Sequence, residues 1–493
     1  MTGHTHDNKQ NVPWYASPKQ IRDWGEPEPV WHDHFGLFYD LVFVGGAYVA
    51  GLTLKQDLTT TGVLTFVGYV LLLRDAWNSR EGREARFESR SFVHSGLDLV
   101  ELTLTMTMVL MMESTDRMFD PGTTTALGLM LTFLASKVVV VFRAWDIGRH
   151  QTTSAGRGYF RRELGLTGSG LAIVGGLAAV VYCLMAPRLD ELWVFLFVCT
   201  LSRWAAILVK IQTTRPMGET AFQAAFVPLC IEYSIERNLE WMMLMVGEAV
   251  FSLLIVPVEH TTQFYIIFIV GCVSVSCVFY QQLNNYMLDS SRHALKLKAL
   301  RGFMFEVSRV VLSVTLVAYG VSFKVLLEKA DKSTLDPKYI KLYAIPLGLS
   351  LFISDLSWVL NDTGVQPPGF VNYWKTVLQN QHTELGRRVL RIWIAKLAIV
   401  AVCFSMESMD LDAIGVSLLG CALTIVAATL GALRTHPCYS ISKLYETETA
   451  VGDGKSDAQE HHQGQNVAVN PAGVHPLPAA GGATPGASRL SEV

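Results

Sequence analysis

The chain has 493 residues, of which 50% are hydrophobic and only 17% are charged, and its mean hydropathy is +0.31. Soluble domains carry roughly 25% charged residues, so this composition excludes an ordinary soluble enzyme and favours an integral membrane protein. A formal net charge of -3 gives no reason to expect nucleic acid or another polyanion as a partner. The eight cysteines form no CxxC pair, so neither a zinc site nor a disulfide framework is indicated.

The first 34 residues are polar and lack the apolar core of a signal peptide. They contain His32-Asp33-His34, which offers metal-binding donors but without the i, i+4 spacing of zinc ligands on a helix. We interpret this tripeptide as the polar flank of the first helix, with metal binding as the less favoured alternative. The first hydrophobic helix is then expected to direct the chain to the membrane and to remain in the protein.

Twelve apolar runs follow, each close to the 17–25 residues that cross a bilayer. They cover residues 35–54, 62–77, 93–112, 123–143, 164–186, 190–210, 238–257, 262–285, 302–325, 340–360, 389–407 and 412–433. The predicted fold class is therefore all-α, a polytopic bundle of about twelve transmembrane helices. The fifth, seventh, eleventh and twelfth runs have soft edges, which leaves ten or eleven helices open.

Charges between the runs predict the orientation, because cytoplasmic loops are enriched in Lys and Arg. Basic residues follow the second, fourth, eighth and tenth runs, as in Arg80–Arg90 and Arg149–Arg162. Both termini are therefore predicted to be cytoplasmic, in a protein of the plasma membrane. The predicted organisation is a polar segment 1–34, a first membrane half 35–211, a connector 212–237, a second half 238–434 and a disordered tail 435–493.

Ionisable residues inside the apolar runs are the main functional signal, since each costs roughly 2.5–3.5 kcal/mol at a helix centre on insertion scales. Such residues face the bundle interior, pair with each other or line a pathway. The proton- or cation-binding candidates are Asp40, Asp98, Glu101, Glu248 and Glu306, and the candidate charge partners are Lys137, Arg203, Arg309 and Lys396. Asp355 in the tenth run is a further intramembrane charge.

Two pairs of these charged residues are spaced so that their side chains share one face of a helix. Asp98 and Glu101 are three residues apart on one helical face, where two carboxylates favour uptake of a proton or cation. Glu306 and Arg309 have the same spacing and can neutralise each other. For any single residue, an interhelical salt bridge that fixes packing is the competing interpretation.

A faint internal repeat appears at a shift of 208 residues, which places Asp40 on Glu248 and Asp98 on Glu306. It predicts two parallel halves of six helices, an arrangement found in some secondary transporters. We therefore hypothesise that Asp40 and Glu248 approach each other between the halves. Trp31, Tyr39 and Trp241 can serve as interfacial anchors.

Two motifs resemble those of the bacterial low temperature requirement A (LtrA) family. LFYDLVFV, from Leu37 to Val44, is similar to the family's LFFDLVFV signature. Glu236-Arg237, followed by Gly247-Glu248, is similar to its later ER and GE segment, with the same spacing. The matched motif positions are Phe38, Asp40, Glu236, Arg237, Gly247 and Glu248.

The resemblance covers the membrane region to about residue 290, and this chain departs from the family at Gly36 and Leu239. The family name records a cold-growth phenotype, so the resemblance implies a multi-pass membrane protein and no particular reaction. It implies a membrane location, with lipids and an unknown small solute or ion as partners.

The favoured function is a proton- or cation-coupled transporter or permease that uses the intramembrane carboxylates. The alternative is a non-transporting membrane protein of stress or low-temperature adaptation, in which the charges are structural. The sequence contains no GxSxG, HExxH or clustered histidines, so we expect no enzyme activity, no metal and no cofactor. Carboxylates paired with Lys or Arg in a dry core would favour the alternative.

Overall fold

The computed structural model describes residues 13–21, 34–89, 91–112, 124–165, 169–185, 191–214, 226–257, 261–286, 293–297, 299–332, 334–361 and 370–435. The chain divides into two units, Met1–Leu444 and Tyr445–Val493, and every described residue belongs to the first unit. His32, Asp33 and the predicted tail after residue 435 lie outside the described residues, so the predictions made for them remain predictions.

Helices dominate the described part of the chain. Those helices are α1 (His34–Gln56), α2 (Thr60–Glu84), α3 (Phe92–Leu110), α4 (Thr125–His150), α5 (Ser154–Leu164), α6 (Ser169–Met185), α7 (Leu192–Thr214), α8 (Ile231–Ile255), α9 (Thr262–Tyr286), α10 (Ala294–Leu297), α11 (Ala299–Glu328), α12 (Pro337–Leu360), α13 (Phe370–Gln379), α14 (Glu384–Ser405) and α15 (Ala413–Thr435). A 3₁₀ turn, Met406–Ser408, follows α14, and two short strands, β1 (Lys19–Gln20) and β2 (Phe87–Glu88), pair antiparallel.

The all-α membrane bundle predicted from the sequence is confirmed, and each of the twelve apolar runs coincides with a helix. Ten stretches in the described ranges are both long and apolar enough to cross a membrane. Helices α1 and α2, of 23 and 25 residues, also reach spanning length but carry buried charges. Hydroxyl side chains cap several helices, as where Thr59 accepts a bond from Gly62 N at 3.3 Å.

Helix α11 lies at the centre of the bundle. Of the residues in its most apolar stretch 89% are buried, whereas in the corresponding stretch of α7 only 25% are buried. Helices α1 and α8 run side by side in the same direction, since Asp40 contacts Arg237 and Gly51 lies next to Glu248. Helix α2 runs antiparallel to α1, because Trp77 bonds Asp40 and Leu73 packs on Gly46.

The N-terminal residues 13–21 form a strap across the bundle end where α2 finishes and α3 begins. Phe92 N and Val93 N donate to the carbonyls of Pro13 and Trp14, and the rings of Trp14 and Phe92 stack at 4.9 Å. The later residues of the strap are held by the β1–β2 pair and by a hydrogen bond from Gln151 Nε2 to Pro18 O at 2.7 Å. The polar segment predicted for residues 1–34 therefore includes a docked strap.

Helix boundaries differ most from the predictions at three places. Helix α4 continues beyond residue 143 to His150. Helix α2 continues beyond residue 77 to Glu84, and α8 begins at Ile231 rather than near 238. Polar residues at these helix ends interrupt the apolar pattern, so the sequence did not indicate that the helices continue. The buried charges in the extra turns of α2 and α8, Arg80, Arg83 and Arg237, pair with carboxylates, so these cations do not enter the core unpaired.

The interpretation of Tyr39 and Trp241 as interfacial anchors was wrong, whereas Trp31 lies outside the described residues. Both side chains are buried, and Trp241 Nε1 donates to Ser313 Oγ at 2.6 Å while its ring packs on Phe43 and Trp77. A buried indole with a satisfied N–H belongs to the core rather than to the lipid interface.

Candidate functional site

A charged layer occupies the end of the bundle where α1, α8 and α11 begin and α2 ends. We define the layer by the ionisable side chains Asp40, Arg74, Asp75, Arg80, Glu81, Arg83, Glu84, Asp98, Glu101, Lys137, Arg143, Arg237 and Glu306. Most are buried or nearly so. Charges at this depth are stable only when they are paired and hydrogen-bonded, so their partners decide what the layer can do.

Asp40 is held in a buried ion pair. Its side chain is 2% exposed, and it accepts bonds from Arg237 Nη2 at 2.8 Å and Nη1 at 2.9 Å. Trp77 Nε1 donates a third bond at 3.2 Å. The planar fork of arginine matches a carboxylate in this geometry, so Asp40 is fully engaged with α2 and α8.

Asp98 and Glu101 both form ion pairs with the same two arginines, Arg83 and Arg143, so their charges are neutralised by side chains. Glu101 accepts a bidentate pair from Arg83 Nη1 and Nη2 at 3.0 and 3.1 Å, and Arg143 Nη2 lies 2.6 Å from Asp98 Oδ1. The partners expected from sequence were Lys137, Arg203 or Lys396. Arg83 was instead counted as a loop charge, because the helix that carries it was predicted to end at residue 77.

Glu306 is bonded across the bundle rather than only within its own helix. It accepts from Arg74 Nη2 at 3.2 Å and from Asn238 Nδ2 at 3.1 Å. Arg309 lies over the ring of Phe305 at 4.5 Å. Nearby, the Ser234 hydroxyl donates to Glu81, so α2, α8 and α11 are joined by one polar network.

Glu248 is different from the other four carboxylate candidates. It is 1% exposed, Ser252 Oγ donates to its Oε1 at 2.9 Å, and its Oε2 has no hydrogen-bond partner among the described residues. Its carboxylate faces Gly51 of α1, where a Cβ would lie only 3.4 Å from Oε1. A buried carboxylate with one neutral donor is stable mainly when it carries a proton.

Asp40 and Glu248 do not come together. Arg237 sits opposite Asp40, and Glu248 follows Arg237 by eleven residues on α8. At 1.5 Å per residue this separates their levels by about 16 Å along the helix. The hypothesis that they form one site is therefore corrected: the residue that meets Asp40 is its neighbour in the second motif, Arg237.

The remaining predicted residues fall in three places. Lys137 pairs with Asp75 and donates to Ser79 Oγ, and Lys396 pairs with Asp355. Phe38 and Glu236 are exposed, and Gly247 is half-buried with no described atom within 4 Å of a Cβ position. The side chain of Arg203 lies outside the described residues.

Several site residues were missed by the sequence reasoning. They are Arg74, Asp75, Glu81, Glu84, Arg143, Asn238 and Arg434. Arg74-Asp75 interrupts the second apolar run and was visible in the sequence as an intramembrane pair. The others are adjacent to predicted helix ends, where a charge is ordinarily solvated and gives no signal.

Within the described residues, no group of three or more His, Cys, Asp or Glu is arranged to hold a metal ion. The charged layer can instead lock helices together, and the isolated Glu248 can exchange a proton. The two arrangements correspond to the two functions that the sequence left open.

Comparison with known proteins gives one match. The family model for the bacterial low temperature requirement A protein (LtrA) matches residues 34–432. No curated protein and no solved structure matches the chain. The matched range includes α1 to α15 almost completely, together with the Asp40–Arg237 pair and Glu248. The chain therefore belongs to the LtrA family of multi-pass membrane proteins.

Proposed function

We propose that this LtrA-family protein is a proton-coupled transporter of a small solute and that Glu248 carries the proton. The observation that supports the proposal is the isolation of Glu248. Of the five predicted carboxylates, the other four are ion-paired, whereas Glu248 has no cation within 4.0 Å among the described residues.

A proton fits this position better than a metal cation. Hard cations require several oxygen ligands, and the hydrogen-bond partner that the described residues offer Glu248 is the single hydroxyl of Ser252. Carboxylates inside membrane helices often serve as proton relays. Glu248 takes up a proton when it is enclosed and releases it when water or a cation reaches its Oε2.

The surroundings of Glu248 connect its charge to helix packing. A Cβ at Gly51 would lie 2.6 Å from Val321 of α11, so α1, α8 and α11 meet closely around the carboxylate. Lys324 lies one turn further along α11, where its Nζ donates to Tyr48 OH at 3.4 Å. When Glu248 loses its proton, the negative carboxylate attracts Lys324. This attraction shifts the equilibrium between two arrangements of the three helices.

The proposed orientation places both termini on the cytoplasmic side of the plasma membrane. Arg80 and Arg83 are paired within the bundle and therefore support this orientation less than free loop charges do. The support comes from the basic residues beyond them, such as Arg157 and Arg161 on α5.

A second function is favoured by a specific observation. Four predicted carboxylates form buried or partly buried ion pairs, and this is the arrangement expected of a non-transporting membrane protein whose charges fix its packing. In that case the protein acts through interactions in stress or cold adaptation. Glu248 would then be a permanently protonated core residue.

The test is proton movement in liposomes that contain the purified protein and a pH-sensitive dye, with a panel of small solutes. We expect a solute-dependent proton flux in the wild type and its loss in Glu248→Gln, which keeps the size of the side chain. Glu328→Gln is the matched control, because Glu328 pairs with Lys55 at the far end of α11. Absence of flux for every solute supports the non-transporting function.

A further inference from the structure

We propose that a space beside Gly431, between α9, α12, α14 and α15, binds a small monovalent anion of the size of chloride or formate. The site is separate from Glu248 and from the charged layer. Its components are Lys396 of α14, Arg434 and Gly431 of α15, Gln281 of α9 and Asp355 of α12.

The two cations of this site converge on one oxygen atom. Lys396 Nζ donates to Asp355 Oδ1, and Arg434 Nη1 donates to the same oxygen at 3.0 Å. Lys396 is 3% exposed. An ammonium group has three N–H donors, and Asp355 Oδ1 is the one acceptor that the described residues give it. The three side chains together carry one positive charge more than they carry negative charge.

Open space adjoins the ammonium group of Lys396. Gly431 is buried, yet apart from its chain neighbours and the backbone of α15 the one described atom within 4 Å of a Cβ built on it is Lys396 Nζ, at 3.9 Å. Elsewhere in the helical interface, at Gly320, such a Cβ would meet Ala249 at 2.7 Å. Gly431 therefore leaves room for an atom next to a buried cation.

A buried amide lies at the same level of the bundle, on the helix that packs beside α15. Ser274 of α9 and Thr424 of α15 are bonded at 3.0 Å. Helices α9 and α12 are both antiparallel to α11, and α15 is parallel to α12. Helices α9 and α15 therefore run in the same direction. Gln281 follows Ser274 by seven residues and Gly431 follows Thr424 by seven residues, which is about two helical turns on each helix. Gln281 is 2% exposed, and neither its Oε1 nor its Nε2 has a described partner.

These groups select the class of ligand. Lys396, Arg434 and the Gln281 amide supply N–H donors, which suit an anion. The Asp355 carboxylate opposes a second negative charge, so a monovalent ion is favoured over sulfate or phosphate. The guanidinium of Arg434 lies 3.8 Å from the Trp358 ring and 5.7 Å from the Trp393 ring. These two rings pack beside the Arg434 cation, and their bulk favours a small ion over a larger one.

The test is thermal unfolding of the purified wild-type protein at constant ionic strength, with increasing chloride or formate, because a ligand of the folded state raises its stability in a saturable way. We expect a saturable rise with both monovalent anions and none with sulfate. An equal rise with sulfate, or no saturable rise with any anion, would overturn the proposal. The measurement requires no transport, so its result is independent of the function proposed for Glu248.

Two variants locate the site. Lys396→Met removes the cation, and Gly431→Val fills the adjoining space while both cations remain, so each is expected to weaken apparent affinity about tenfold or more. If Lys396→Met does not fold, Gly431→Val decides, with Gly431→Ala as the smaller insertion. Lys341→Met is the control, because Lys341 is exposed and pairs with Glu407 at 2.8 Å. Unchanged affinity in the Gly431 variants would rule this site out.

Discussion

Arg237 on α8 donates hydrogen bonds to Asp40 on α1 from both terminal nitrogens, at 2.8 and 2.9 Å, although the two residues are 197 positions apart in the chain. Asp40 lies in the first and Arg237 in the second of the two motifs that resemble the LtrA family, and both fall within the range that the family model matches. The indole of Trp77 completes the pair from α2. The two motifs therefore meet in a single buried ion pair that joins three helices.

Removing one member of this pair is expected to destabilise the fold strongly. Arg237→Ala leaves Asp40 charged and buried, and breaking a buried pair in this way costs about 3–5 kcal/mol. The measurement is the unfolding free energy of the purified variant in detergent.

A double substitution provides the control. Asp40→Asn with Arg237→Gln removes both charges, so its destabilisation is expected to be smaller than the sum for Asp40→Asn and Arg237→Gln alone. Additive losses would show that Asp40 and Arg237 are not energetically coupled.

Close packing of α8 on α11 predicts a contrast between two glycines. A Cβ at Gly320 would lie 2.7 Å from Ala249 Cα, whereas Gly45 is exposed and has no described atom within 4 Å of its Cβ position. Gly320→Ala is expected to cost about 1–3 kcal/mol through overpacking. Gly45→Ala is expected to be neutral or stabilising by up to about 1 kcal/mol, since alanine favours helix. Thermal unfolding of both variants measures the difference, and equal stabilities would contradict the packing argument.

The helical fold was predictable because length and hydropathy determine which segments can cross a bilayer. All twelve runs became helices, and the buried state of Asp40 and Glu248 followed from their positions inside the runs. These are properties of one segment at a time.

The pairing of charges was not predictable, because it depends on which helices become neighbours. Arg83 was predicted as a loop residue and Arg237 as the last residue of the connector, yet Arg83 binds Glu101 of α3 and Arg237 binds Asp40 of α1. A weak repeat placed Asp40 on Glu248, but a shift of eleven residues along parallel helices separates them. Only the packing of α1 against α8 shows that separation.

The N-terminal strap predicts a change at high pH. Tyr15 OH donates to Asp146 Oδ1 at 2.8 Å, and burial together with that bond raises the pKa of Tyr15 to about 12. The docked strap thus holds the phenol proton more tightly than a released strap, whose tyrosine has the ordinary pKa near 10. The contribution of Tyr15 to docking is therefore fully present below pH 10 and is lost as the pH rises from 10 to 12.

Limited proteolysis of residues 13–21 across this pH range measures the release of the strap. Tyr15→Phe lacks the titrating group, so its cleavage is expected to be faster below pH 10 and to show less pH dependence above it. Cleavage of the wild type that does not change between pH 10 and 12 would contradict the role of Tyr15.

The bidentate bond between Arg83 and Glu101 predicts that lysine cannot replace this arginine. Arg83 Nη1 and Nη2 reach the two oxygens of Glu101 at 3.0 and 3.1 Å, and Arg83 also lies 3.6 Å from Asp98. A lysine retains the charge but presents a single nitrogen, so it cannot make both bonds. Arg83→Lys is expected to cost about 1–3 kcal/mol, the range for a lost bond between charged groups. Arg387→Lys, at an exposed pair with Glu384, should change the unfolding free energy by less than about 0.5 kcal/mol. If both substitutions prove equally mild, Arg83 acts as a simple counter-charge, and the fork geometry contributes nothing to the stability of the layer.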